Sequence, residues 1–164
     1  MKTYYTTIIL FQIGLLISGI TAFFIPEGMP VVLWMTEHSF PDLLPWLQSV
    51  ASSVDHVSVD ATHLLYGYDW LGFAHVLFAI LFIGALKDPE RNRFLLDFGL
   101  IACALIIPTA FIAGHFRGIP PLWRLMDSMF GVIGGALLLY ARYKLNKEHS
   151  IQTAQSDSTK YLFL

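Results

Sequence analysis

The chain is 164 residues long, 55% hydrophobic and only 13% charged, with a mean hydropathy of +0.60. An ordinary soluble domain carries about 25% charged residues, so this composition argues against a soluble globular protein and for several bilayer-spanning segments. A formal net charge of −2 leaves no basic surface for nucleic acid, and the lone cysteine, Cys103, excludes an internal disulfide or a dithiol relay.

Thr3 to Ile25 is apolar apart from Gln12 and a few hydroxyls. Its 23 residues, at about 1.5 Å each, exceed a hydrocarbon core of about 30 Å. It is read as the first span. A cleavable signal peptide, with Lys2 ahead of the apolar run and Ala22 as the small residue, is the rival, and the continuation through Phe23, Phe24 and Ile25 weighs against it. Trp70 to Leu86, bounded by Asp69 and Lys87, is a second span of 17 residues, short enough to call for snorkelling or local bilayer thinning. The third span, Phe94 to Ala113, contains Pro108 and stops at Gly114, which predicts a kink or a broken last turn. The fourth, Leu122 to Tyr140, follows Pro120 and Pro121, residues suited to a helix start. Its Gly131 and Gly135 form a GxxxG spacing that admits a close helix, either within the chain or from a second copy or a membrane protein partner. Residues 1–148 are thus one four-helix transmembrane domain, and residues 149–164 are read as a flexible cytoplasmic tail.

Orientation follows from the basic residues, which are retained in cytoplasmic loops. With both termini inside, Lys2, Lys87, Arg91, Arg93, Arg142, Lys144, Lys147 and Lys160 are cytoplasmic, leaving Arg117 and Arg124 outside. The segment 26–68 has no Lys or Arg but holds Glu27, Glu37, Asp42, Asp55 and Asp60, so it is placed outside. With no glycosylation sequon present, a bacterial inner membrane is the expected location.

That outer segment is too long to be structureless. Leu43, Leu47, Val50, Val54, Val57, Ala61 and Leu64 recur at helical spacing, with Gln48, Ser52, Asp55, His56, Asp60 and His63 on the opposite side. The pattern predicts an amphipathic helix, started by Ser39, Pro41 and Asp42 in a capping-box-like arrangement. Pro45 and the β-branched residues from Val50 to Val59 are its weak points, which also allow two short extended pieces. Phe24, Trp34, Phe40, Trp46, Tyr66, Tyr68 and Trp70 read as an interfacial aromatic belt.

Ionisable groups within spans are costly, and each marks a candidate site. His75, His115, Arg117, Arg124 and Asp127 all map to the outer halves of the spans or their edges. They are expected to line one outward-facing polar pocket, with Asp60 and Asp69 above it. Arg124 and Asp127, at i and i+3, can also simply pair with each other. On the inner side Asp97 is expected to pair with Arg91 or Arg93. His56, Asp60 and His63 share a face at i, i+4 and i+7 and form a candidate metal-binding set. Haem ligation by His75 and His115 from different helices is a further geometric option. No P-loop, GxSxG or HExxH is present, and Cys103 lies among apolar residues where a thiol stays protonated.

The expectation is an all-α integral membrane protein, with four transmembrane helices and an amphipathic helix in the first outer loop. Its pocket would bind a small or amphiphilic ligand, membrane lipids being its natural surroundings, with the cations suited to an anionic head group. Two other readings remain open. One is an accessory subunit of a larger membrane complex, docked through the Gly131 and Gly135 face. The other is a lipid-modifying enzyme using His75 as acid or base and Asp127 to orient it.

Overall fold

The computed structural model describes residues 1–161, with side chains described through Ile151. Among these residues there is no strand. The helices are α1 (Lys2–Phe23), α2 (Ile25–Ser39), α3 (Leu44–Asp60), α4 (Tyr66–Leu81), α5 (Ile83–Lys87), α6 (Arg93–Phe116) and α7 (Pro121–Tyr161). Single 3-10 turns at Pro41–Leu43 and Thr62–Leu64 join α2 to α3 and α3 to α4. Four stretches are long and apolar enough to cross a bilayer: Lys2–Phe23, Thr62–Lys87, Arg93–Phe116 and Pro121–Ile151. The chain is a multi-pass integral membrane protein of all-α class.

α1 packs between α4 and α7, and α7 packs against α6. α4 and α6 meet toward the end of the bundle that carries Lys87 to Arg93, where Phe82 lies against Gly99 and the Phe78 and Phe98 rings are 5.9 Å apart. This basic end holds the core: Tyr4, Ile8, Phe82, Leu95, Leu96, Leu138 and Leu145 are all buried. Toward the other end, which carries α2 and α3, glycines replace large side chains at the contacts. A Cβ on Gly19 would stand 2.9 Å from the Gly72 carbonyl, and one on Gly131 would stand 2.5 Å from the Cys103 carbonyl. The Gly131 and Gly135 face is therefore covered by α6 of the same chain.

The second span needs no bilayer thinning. It is 26 residues long, because helical structure begins before Trp70 and resumes after a break at Phe82. That break leaves the Ala79 carbonyl without its α-helical donor, and Gln12 Nε2 on α1 donates to it at 2.8 Å; the Tyr4 hydroxyl likewise donates to the Ala85 carbonyl at 3.0 Å, whose i+4 residue, Pro89, has no N–H. α6 continues through Pro108 to Phe116, past the expected stop at Gly114. α7 runs on through the stretch expected to be a flexible tail as far as Tyr161, while Leu162 to Leu164 lie outside the described residues.

Asp97 pairs with neither Arg91 nor Arg93. Its Oδ1 lies 2.5 Å from Arg142 Nη1 on α7, close in distance though not aligned as a hydrogen bond, and Arg93 donates to Asn146. Both contacts tie the start of α6 to α7, the helix against which α6 packs, rather than back onto its own first turn.

The expected amphipathic helix is α3, and the chain ahead of it forms another helix, α2. Phe24 leaves helical geometry at φ −118°, and Pro26 then sits in the first turn of α2, where its missing donor costs nothing. Pro45 takes the same place in α3, so the residue that looked like a weakness is part of the start. Ser39 closes α2 and makes no capping bond; the turn that follows is begun by Phe40. Leu43, Leu47 and Ala51 are buried, while Gln48, Ser52, Asp55, His56 and Asp60 face out. Trp46 at the head of α3 packs on Trp123 at the head of α7, with ring centroids 5.1 Å apart.

Candidate functional site

The turn between α6 and α7 is built to hold a fixed shape. Gly118 has φ 66°, a left-handed conformation that glycine adopts without strain. The Ile119 N–H donates to the Gly114 carbonyl at 2.9 Å and the Gly118 N–H to the His115 carbonyl at 3.2 Å, the pair of bonds of a Schellman helix end. Arg124, one turn into α7, then donates from Nε to the Ile119 carbonyl at 2.8 Å. Its stem lies over Gly114, where a Cβ would stand 2.6 Å from Arg124 Cγ and Cδ. Arg124 thus clamps the turn and has no ion pair with Asp127.

Below this turn, α6 and the start of α7 enclose a groove of about 480 Å³. Its wall comes from Ala102, Leu105, Ile106, Thr109, Ala110 and Ala113, which recur at helical spacing along one face of α6. The groove is apolar along this wall; of its charged groups, Arg117 stands at the turn end, and Asp127 lies further along α7, between the Arg124–Gly114 and Gly131–Cys103 contacts. Among the described residues neither charged side chain has an ion-pair or hydrogen-bond partner. Thr109 donates its hydroxyl to the Leu105 carbonyl at 2.7 Å, so the wall presents little free polar capacity.

Of the five residues expected to converge, the structure brings Arg117 and Asp127 to this groove and places Arg124 in the turn above it. His115 is exposed beside Phe116, with ring centroids 5.8 Å apart. His75 lies on α4 against α1: its Nδ1 is 2.8 Å from the Leu71 carbonyl, and its Cβ is 3.1 Å from where a Cβ on Gly19 would stand. His75 is thus brought together with neither His115 nor Asp127, because α1 packs between α4 and α7.

His56 and Asp60 do meet, with Nδ1 2.8 Å from Oδ2, both largely exposed. α3 ends at Asp60, and Ala61 turns the chain with φ −145°. His63 consequently faces a different cleft, between the α1–α2 junction and the start of α4. Among the described residues no group of three or more His, Cys, Asp or Glu side chains is placed to hold a metal ion.

Sequence reasoning missed the wall of the groove. Ala102, Ala110 and Ala113 lie on one helical face with Leu105, Ile106 and Thr109, a pattern of small residues that was legible but gave no sign of what would be left uncovered. Comparison of the chain with protein-family models, with curated proteins and with solved structures finds no match.

Proposed function

We propose that this membrane protein binds a phospholipid-like amphiphile in the α6–α7 groove. The observation that carries the reading is the make-up of that groove, apolar along α6, with an unpaired guanidinium at its turn end and an unpaired carboxylate part-way along its α7 side. A phosphate suits Arg117, which can offer it a two-pronged pair of donors, and an amine or hydroxyl of the same head group suits Asp127. The hydrocarbon chain then lies along the alanine-rich face, where small side chains leave room for it. From Ala102 to Arg117 the helix rises about 22 Å, comparable to an extended acyl chain.

The test is native mass spectrometry of protein purified in a mild detergent, followed by titration with phosphatidylethanolamine. Wild-type protein is expected to carry lipid adducts that fall at least fivefold in Arg117→Glu and more modestly in Asp127→Asn, with His75→Ala unchanged. Adducts equal in all four proteins would defeat the reading. A co-purifying protein in place of lipid, lost together with Arg117, would favour the accessory-subunit alternative.

A further inference from the structure

A second cavity lies on the α1–α4 side of the bundle, and unlike the α6–α7 groove it carries carboxylates without a guanidinium. A cleft of about 520 Å³ opens between the α1–α2 junction and the start of α4, and Glu27, His63, Tyr66, Tyr68 and Asp69 contribute its polar and aromatic wall. No Lys or Arg lines it, nor is there one anywhere in the segment 26–68. Glu27 and Asp69 have no ion-pair partner among the described residues, so two carboxylates face one concavity uncompensated.

The cleft continues into a smaller cavity of about 270 Å³, which shares Phe23, Tyr66 and Asp69 with it and adds Trp70 and Phe73. Tyr66, Trp70 and Phe73 follow each other down one face of α4 as a ladder of edge-on rings. Centroids are 5.9 Å apart for Tyr66 and Trp70 and 5.7 Å for Trp70 and Phe73, both at 86°. Phe23 forms the shared wall and is held by Gly72, whose absent side chain is what admits the ring: a Cβ there would stand 2.7 Å from it.

We propose that this two-part cavity binds an organic cation bearing an apolar tail, a quaternary ammonium being the clearest case. The charged end sits between Glu27 and Asp69, where Tyr66 and Tyr68, which line the cleft, offer rings that attract a weakly hydrated cation. The apolar end follows the Trp70 and Phe73 ladder toward the membrane. A pocket of this size falls within the range of small-molecule sites. An anion is excluded by the two carboxylates, and a small, strongly hydrated metal ion would gain nothing from the ring ladder.

The test uses full-length protein in a maltoside detergent and isothermal titration with benzyltrimethylammonium, alongside tetramethylammonium and the uncharged carbon analogue neopentylbenzene. Saturable binding of benzyltrimethylammonium is expected, at least tenfold tighter than either comparator. Asp69→Asn and Glu27→Gln, both near-isosteric, are each expected to weaken it fivefold or more. Phe73→Ala should weaken benzyltrimethylammonium but not tetramethylammonium, and Arg117→Glu, in the other groove, should leave both unchanged. Absence of saturable binding overturns the proposal, as does binding that is indifferent to both carboxylate variants while their thermal melts match wild type.

Discussion

Gln12 is the one amide within the apolar run of α1, and its role is set by a defect in a neighbouring helix. Where α4 stops at Leu81 and α5 begins at Ile83, the helical ladder is interrupted, and Gln12 donates to the Ala79 carbonyl from across the interface. In hydrocarbon an unmet carbonyl has no water to turn to, yet measured side-chain hydrogen bonds between membrane helices average only about 0.6 kcal/mol, with a maximum of about 1.7 kcal/mol. Gln12 is buried, so the upper part of that range applies. Gln12→Leu is therefore expected to cost about 1–1.7 kcal/mol and to accelerate amide hydrogen exchange from Ala79 to Lys87, with little change elsewhere. Exchange that is unaltered in that segment would show that the break is held by other contacts.

Element contacts at the α2–α3 end depend on glycine, and the two glycines of the GxxxG spacing do not contribute equally. A methyl group at Gly131 would meet the Cys103 carbonyl at 2.5 Å, a backbone atom that can yield only if α6 moves, whereas at Gly135 it would meet Cys103 Cβ at an ordinary 3.6 Å. Overpacking of this kind costs about 1–3 kcal/mol. Gly131→Ala is expected to lower the melting temperature measured by circular dichroism, while Gly135→Ala leaves it unchanged or slightly raised. Equal effects, or a change in oligomeric state with unchanged stability, would mean that the face serves a partner helix. The spacing was plain in the sequence, but which glycine carries the contact was not, because that depends on where α6 lies. The four spans and the apolar face of α3 were legible for a simpler reason: length and periodicity are local properties that the bilayer and the interface reward directly. Pro45 misled because a proline is a breaker or a starter according to its place in the turn, and α2, which begins with Pro26 in its first turn, was not foreseen at all. The candidate site was legible only in part. Depth along the chain put His75, His115 and Asp127 at similar levels, but depth says nothing about azimuth, and α1 stands between α4 and α7. The acidic cleft escaped notice because its wall joins Glu27 to His63 and Asp69, residues brought together only by the turn at Phe24 and the helical hairpin of α2 and α3.

At the scale of the whole molecule the two ends differ in charge and in packing. One end gathers Lys87, Arg91, Arg93 and Arg142 with the dense core, while the other holds Arg117 and Arg124 beside the acidic segment 26–68. Arg124 is committed to the Ile119 carbonyl, so among the described residues Arg117 is the cation at that end without a protein partner. Positive charge resists translocation, and the bias here favours retaining the dense end in the cytoplasm. With that orientation both cavities would lie toward the opposite face, where a ligand in the outer leaflet or the external medium would reach them. Cysteine accessibility tests this directly, since Cys103 is buried and can be replaced by alanine to clear the background. In that background Ser52→Cys, on the exposed face of α3, is expected to react with a membrane-impermeant maleimide on intact cells. Ser150→Cys, on the exposed side of α7 beyond the dense end, is expected to react only after permeabilisation. The reverse pattern would place α2 and α3 in the cytoplasm, and both proposed ligands would then have to come from inside the cell.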